Sequence, residues 1–378
     1  MRVLVDYRPA LRERSGAGEY THQLVSQLLT AGRVDLTIFS SSWKHRLVPG
    51  PDLAGAAVVD RRIPVRLLNF AWHRLGWPHA EELTGGRFDV THSSHPLLMP
   101  SRSAARIITI HDLNFMSHPE RTRAEIRRDY PALVRDHAQR ADGIIVPSEF
   151  TAQEVRRRLG ITHERVAICP AGAPDWTPRA QPPADGYILF FSTLEPRKNV
   201  GGLLDAYERL LAQRGLAKAG HPETAPDLVL AGKATADAQP WLDRIARAPL
   251  AGHVRHIGYV EPENRQALYA GARLLVQPSF EEGFGMSVLE AMTLGVPVVA
   301  SNRGSLPEVI GSAAPLVSPD DPDALASAIA RILDDPARTE SAIAAGLQRS
   351  REFTWARTAQ RVYHLYLLAI EHRRCASA

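Results

Sequence analysis

Glu282 and Glu290 stand eight residues apart in the run Ser279-Phe280-Glu281-Glu282-Gly283-Phe284-Gly285-Met286-Ser287-Val288-Leu289-Glu290. The run follows an apolar segment and opens a helix. Glycines at such a junction let backbone N–H groups approach a ligand, and the free N–H groups and dipole of a helix start favour phosphate. A carboxylate at the phosphate end can hold sugar hydroxyls, and one two turns on can hold a ribose. At this spacing both lie near one helical face if the first turn is regular. The plainer alternative is a capped turn with Glu290 on a solvated face.

Four other groupings carry chemistry less specifically. Arg197-Lys198 offers two cations, but alone such a pair is a solvated turn. Gly16-Ala17-Gly18 follows a strand and opens a helix, as a phosphate loop or simply as a tight turn. A dinucleotide fingerprint is excluded there, because no third glycine and no clean acid follow at the required spacing. His111-Asp112 ends an apolar run, where a histidine is more often structural. Asp321-Pro322-Asp323 spells a metal-binding D-x-D, but an Asp cap with Pro at the first helical position before the amphipathic Ala324–Leu333 is ordinary capping. No metal is expected. Ser148-Glu149-Phe150 is likewise read as a helix cap.

The elements that must position these residues alternate strand and helix, an α/β pattern. Arg2–Tyr7, Asp35–Phe39, Ala57–Asp60, Asp89–His92, Arg106–His111, Gly143–Pro147 and Val166–Cys169 read as strands, with helices over Glu19–Ala31 and from the capping box Thr151-x-x-Glu154 to Gly160. Residues 170–186, rich in Pro, Gly and Ala, read as a linker. The grammar then restarts. Strands are expected over Tyr187–Phe191, Leu228–Ala231, Val254–Ile257, Leu274–Gln277 and Val296–Ala300, and helices over Val200–Gln213, Arg265–Gly271 and Ser287–Leu294. Residues 214–227 read as a surface loop and Thr354–Arg374 as a long terminal helix. Two doubly wound domains would present ligand sites at the carboxyl ends of their strands.

Length and composition agree. The 378 residues suit two domains, and 44% hydrophobic with 23% charged residues is globular. Two cysteines, Cys169 and Cys375, cannot form a disulfide framework or a four-ligand zinc site and suit a reducing cytosol. No leader and no run of roughly 20 apolar residues is present, so the expectation is a cytoplasmic protein, soluble or at most bound to the inner membrane surface. The net charge of +4 hides 24 basic against 18 acidic residues over positions 1–170. That is too mild for nucleic acid but compatible with an anionic surface or a phosphate-bearing partner. Arg61–Trp77 mixes Arg with Leu, Phe and Trp, as a bilayer-surface segment does and as a packed helix also does.

The run around Glu282 and Glu290 resembles the E-x7-E motif of retaining GT-B glycosyltransferases, family 4 in particular, and Gly295–Gly311 continues the likeness. Phe191-Ser192-Thr193-Leu194-Glu195-Pro196-Arg197-Lys198-Asn199 resembles that family's diphosphate strand–loop, in a subset written T-L-E-P-R-K-N and associated with mannosyltransferases of surface polysaccharides. Many members have Gly-Arg where this chain has Ser192-Thr193, so one phosphate arginine is missing. The segment from Arg14 through Ser15 to Tyr20 resembles the family's glycine loop. His111-Asp112-Leu113, continued by Phe115 and His118-Pro119-Glu120, resembles its H-D-L motif.

The resemblance implies a GT-B fold of two Rossmann-like domains. Residues 1–172, with the helix from about 354 to 378 crossing back, would form the acceptor side, and 185–353 the donor side. It implies His111, Glu282 and Lys198 as catalytic residues. Gly16, Gly18, Thr193, Arg197, Lys198, Tyr259, Val260, Glu282, Gly283, Phe284, Gly285, Leu289 and Glu290 would bind the donor. The implied activity is retaining, metal-independent hexosyl transfer, mannose favoured, from a nucleotide diphosphate sugar to a glycan, lipid-linked or small-molecule acceptor. No further cofactor is implied. A non-catalytic sugar-nucleotide sensor, or a phosphorylase or epimerase on the same scaffold, are the alternatives.

Overall fold

The structure, a computed structural model, describes residues 1–12, 14, 16–118, 124–214 and 225–377. Ser15, Pro119, Glu120 and most of the loop expected over 214–227 lie outside the described residues. The chain divides into two compact units: Met1–Gly172 with Thr354–Ala378, and Ala173–Phe353.

The first unit holds a sheet of β1 (Arg2–Asp6), β2 (Asp35–Ser41), β3 (Ala57–Arg61), β4 (Val90–Ser93), β5 (Ala105–Thr109), β6 (Gly143–Val146) and β7 (Val166–Ile168), in the order β3-β2-β1-β4-β5-β6-β7. Every pairing in it is parallel. The second holds β8 (Tyr187–Phe191), β9 (Leu228–Ala231), β10 (Val254–Gly258), β11 (Ala272–Gln277), β12 (Val298–Ser301) and β13 (Leu316–Val317), in the order β10-β9-β8-β11-β12-β13, also parallel throughout. Strand order thus reverses direction between β1 and β4 and again between β8 and β11. These are the switch points where the carboxyl ends of a doubly wound sheet leave a crevice.

β6, β8 and β9 are continuous apolar runs, as strands of a parallel sheet covered by helices on both faces are. Leu228, Leu230, Leu274, Val276, Ile188 and Phe190 form the centre of the second unit's core. The helix Trp355–Ser377 belongs to the first unit, where the Tyr366 hydroxyl meets His92 Nδ1 at 2.7 Å and Arg361 donates to the Ile168 carbonyl at 3.0 Å. At Gly172 a Cβ would come 2.2 Å from the Trp355 backbone nitrogen, so only glycine lets the two segments pass.

Several boundaries differ from the sequence reading. The helix expected from Thr151 starts at Glu149, because Ser148 is its cap and accepts the Thr151 N–H at 3.1 Å. The helix expected from Arg265 starts at Pro262, whose missing N–H costs nothing at a helix start. The stretch 173–186 has neither helix nor strand, yet it is no free tether. Arg179 donates to the carbonyls of Gly295 and Ala270, and Trp176 packs on Tyr269. The helix Pro336–Ser350, absent from the sequence reading, is opened by Asp335, which accepts the Arg338 N–H at 3.0 Å. Asp321 caps the helix Pro322–Asp334 by accepting the Ala324 N–H at 2.9 Å, and Asp323 pairs with Arg209 at 2.6 Å.

The first unit buries several imidazoles. Burial, and then the neighbouring His111, push His92 down to about 3, and burial pushes His111 to about 4 against the opposing Asp112 and Ser94 backbone. A group depressed in the fold contributes stability above its unfolded value near 6.5 and loses it as pH falls toward the folded value. Fully buried His92 alone is worth about 2 kcal/mol between pH 6.5 and pH 5, or about 4–8 °C in a unit of this size. The melting temperature is therefore expected to drop between pH 7.5 and pH 5, and His92→Gln to flatten that slope. An equal slope in the variant would contradict the assignment.

Candidate active site

The residues expected to act on a diphosphate sugar gather at the switch point of the second unit. Thr193, Arg197 and Lys198 follow β8; Glu282 and Gly283–Gly285 follow β11. Lys198 ends the turn Pro196–Lys198, and Asn199 terminates it in a left-handed conformation, φ 57°. The Asn199 amide donates to the carbonyls of Pro278 (3.1 Å) and Pro319 (2.8 Å), tying this turn to the loop after β11. The Phe280 N–H donates to the Arg197 carbonyl at 2.9 Å, a second tie between the same loops.

These ties bring two buried charges together. Lys198 Nζ donates to both oxygens of Glu282 at 2.7 Å, and each residue is only 6% exposed. Gln277 Nε2 and Ser279 Oγ donate to Glu282 Oε1, each at 2.8 Å, and Arg197 Nη1 stands 3.6 Å from Oε2. Burial alone would raise the Glu282 carboxyl; Lys198 and Arg197 outweigh it and hold it below the ordinary range. Burial and then Arg197 lower the Lys198 ammonium, with Glu282 opposing them. Arg197 is also held by Glu195 at 2.6 Å.

The backbone around Glu282 is fixed as firmly as its side chain. Ser305 donates to the Glu282 carbonyl through its N–H (3.1 Å) and its hydroxyl (2.9 Å). Gly304 runs so close that a Cβ there would lie 2.7 Å from the Glu282 backbone. Gly285, at φ 97°, caps the helix Met286–Leu294. Glu282 therefore lies on the loop, not on the helix, and the reading of Glu282 and Glu290 as one helical face is corrected. The left-handed turn at Gly285 breaks the periodicity that the spacing assumed. What the arrangement offers is a fixed carboxylate, a cation beside it, and a helix start with the Gly283–Gly285 backbone: the apparatus for hydroxyls next to a phosphate.

Phe284 and Leu289 are buried, Phe284 against Phe353 (5.7 Å between ring centroids). Tyr259 and Val260 follow β10, two strands from β8, and are half-buried. In the first unit, His111 follows β5. Among the described residues its Nε2 is buried without a hydrogen-bond partner, Tyr20 meets its ring edge-on at 5.2 Å, and the Ser94 backbone is hydrogen-bonded to it. A value near 4 keeps this imidazole neutral at physiological pH. Tyr20 belongs to the helix Gly16–Ala31, so the glycine segment and His111 share one end of the sheet. Gly16 is exposed. Gly18 has a packing reason, since a Cβ would lie 2.6 Å from the Pro9 carbonyl oxygen.

Residues 14–175 match Glycosyltransferase Family 4, and residues 178–349 match Glycosyl transferases group 1. The chain belongs to glycosyltransferase family 4. Among its relatives is the O-antigen chain mannosyltransferase B of Escherichia coli, 29% identical over 97% of this chain and 100% of that one. The sucrose-phosphate synthase of Thermosynechococcus elongatus aligns over 100% of both chains with a TM-score of 0.76 at 20% identity. Anabaena HepE in complex with UDP and glucose aligns over 96% of this chain and 98% of its own with a TM-score of 0.67 at 18% identity. These likenesses give the GT-B fold.

The transferase holds its second motif carboxylate apart from the first. The Tyr269 hydroxyl donates to Glu290 Oε2 at 2.6 Å, and Arg265 Nη1 stands 3.9 Å from Oε1. Tyr269 is fully buried between Trp176 and Phe191. Gln277, Ser279, Ser305, Tyr269 and Arg265 were not singled out from sequence. Gln277 and Ser279 alternate at a strand end just ahead of the glutamate, a signal that was available. Tyr269 and Arg265 sit on another helix and left none. If Glu290 holds the ribose, Tyr269→Phe should weaken nucleoside diphosphate binding by about 5- to 10-fold, the worth of one hydrogen bond. An unchanged Kd by calorimetry would remove Tyr269 from that role.

Proposed function

We propose that this transferase moves a hexose, mannose in the first instance, from GDP-mannose to a glycan, lipid-linked or small-molecule acceptor, with retention of configuration and without a metal. The observation that carries the reading is the buried Lys198–Glu282 pair beside the Gly283–Gly285 helix start at the β8/β11 switch point. Mannose rests on the T-L-E-P-R-K-N string and on the similarity to a mannosyltransferase. The second unit is the donor side and the first the acceptor side in this reading.

In the proposed step the bond between the anomeric carbon and the diphosphate oxygen breaks, and the electron pair leaves with the GDP. Lys198 and the amides of the helix start stabilise the growing charge in a site largely closed to water. Glu282 holds the sugar hydroxyls. The acceptor oxygen attacks the same face, and its proton passes to the departing phosphate oxygen. No protein nucleophile is required. In the first unit, neutral His111 keeps an Nε2 that no described residue engages, a hydrogen-bonding atom for a hydroxyl-bearing substrate, and it is not assigned as a base.

Release of GDP from GDP-mannose should depend on added acceptor and persist in EDTA. Release that ignores acceptor, or selective turnover of a UDP-sugar, would overturn the proposal.

A further inference from the structure

Among the described residues, eight of the ten large hydrophobic side chains left exposed fall between positions 43 and 77. The helix Val65–Phe70 and the turn Ala71–Leu75 that continues it have two apolar faces. Leu68 and Trp72, four apart, point inward, and Trp72 packs on Phe39 at 5.5 Å. Leu67 (64% exposed), Phe70 (61%) and Leu75 point outward, and Trp77 (58%) follows them. Trp43 (68%) lies just past the end of β2, which runs beside the approach to the helix: Ser41 and Ser42 donate to the carbonyls of Ile63 and Arg61.

The same stretch is basic. Positions 43–77 hold six Lys and Arg against Asp52 and Asp60. Those two acids are paired, with His22 at 2.6 Å and Arg46 at 2.9 Å. Lys44, Arg62 and Arg66 are exposed and make no ion pair among the described residues. The platform beneath is rigid. Arg8, just after β1, donates to Asn69 at 2.9 Å and lies 4.7 Å over the Trp72 ring. This anchors the helix to the carboxyl end of β1, at the switch point of the first unit.

We propose that this face docks the protein on a bilayer bearing anionic lipid. Exposed charge and exposed apolar side chains share this short helix: Arg66 follows Val65 and precedes Leu67, while Arg74 is held by Asp129 at 3.2 Å. Both acids of the stretch are already paired, so a second copy docked face to face would bring Lys44, Arg62 and Arg66 no free counter-charge, whereas anionic lipid supplies one. A bilayer surface accepts the pattern. Leu67, Phe70 and Leu75 enter the acyl boundary, Trp43 and Trp77 sit at headgroup level, and Lys44, Arg62 and Arg66 extend to lipid phosphates. Docking would hold the first unit's switch point against the membrane. That the bilayer then carries the acceptor rests on the transfer reading; the docking itself does not.

The test is co-sedimentation of the full chain with phosphatidylcholine vesicles, with and without phosphatidylglycerol. Binding is expected to the anionic vesicles only and to fall as salt rises. The double variant Leu67→Ser, Phe70→Ser should lose at least about tenfold in partitioning while keeping its melting temperature, because it trims exposed side chains only. Arg62→Glu and Arg66→Glu should each cost about fivefold or more. Indifference of the wild type to anionic vesicles, or equal binding by the double variant, would overturn the proposal. So would wild-type dimerisation abolished by the same variant without vesicle binding, since a second copy would then cover the face. No donor or turnover enters the readout, so failure of the transfer reading would not be mistaken for failure here.

Discussion

Glu282→Gln is expected to reduce transfer at least about 100-fold while lowering stability, and a second substitution should restore only the stability. The catalytic loss follows from placing a fixed carboxylate against the transferring sugar; removing one preorganised polar contact of this kind costs about 2.7–4 kcal/mol in the transition state. The stability loss follows from the ion pair. Lys198 is buried against both Glu282 oxygens. Neutralising its partner leaves a desolvated ammonium, at a cost of about 3 kcal/mol or more. That corresponds to a fall of about 6–12 °C in melting temperature. Adding Lys198→Met removes the stranded charge while keeping its alkyl volume, and the introduced amide would still have Gln277 and Ser279 as partners. The double variant should therefore melt within about 1 kcal/mol of the wild type and remain inactive. A double variant no more stable than the single one would mean the pair is not the coupled unit described. An active Glu282→Gln enzyme would remove the sugar contact.

Lys198→Met alone should weaken binding of the nucleoside diphosphate about 10- to 100-fold, the worth of a hydrogen bond to a charged group. The expected signature is selective: affinity for GDP falls strongly, and affinity for guanosine, which has no phosphate, hardly changes. Arg197 is already held by Glu195 and stands beside Glu282, so Arg197→Ala should cost less than the lysine does. Calorimetry on the three proteins decides it. Equal losses for GDP and guanosine in Lys198→Met would mean the site had distorted, not that a phosphate contact had gone.

The alternation of buried strands and helices in Tyr187–Phe191, Leu228–Ala231 and Leu274–Gln277 was legible because parallel strands are unbroken apolar runs. The motif residues were legible too, since glycine, glutamate and lysine at a strand end carry chemistry that composition alone does not. The ion pair was not. Lys198 and Glu282 are 84 positions apart, and only the adjacency of β8 and β11 brings them together. Nor was the loop position of Glu282, because a left-handed Gly285 is invisible to helical periodicity. The apolar face at Leu67 and Phe70 was half legible. The mixed composition showed, but the inward role of Leu68 and Trp72 needed the packing.

The central claim is that the carboxyl end of the second unit's sheet binds the diphosphate of a GDP-sugar. A thermal-shift series with GDP, UDP, dTDP and ADP, each in EDTA and in magnesium, tests it most directly, with Lys198→Met alongside. A ligand at about 100 times its Kd stabilises by about 2.7 kcal/mol. The account predicts a rise with GDP that survives EDTA, exceeds those with the other nucleotides, and is largely lost in Lys198→Met. A rise of equal size in Lys198→Met, or no rise with any nucleotide, would contradict it.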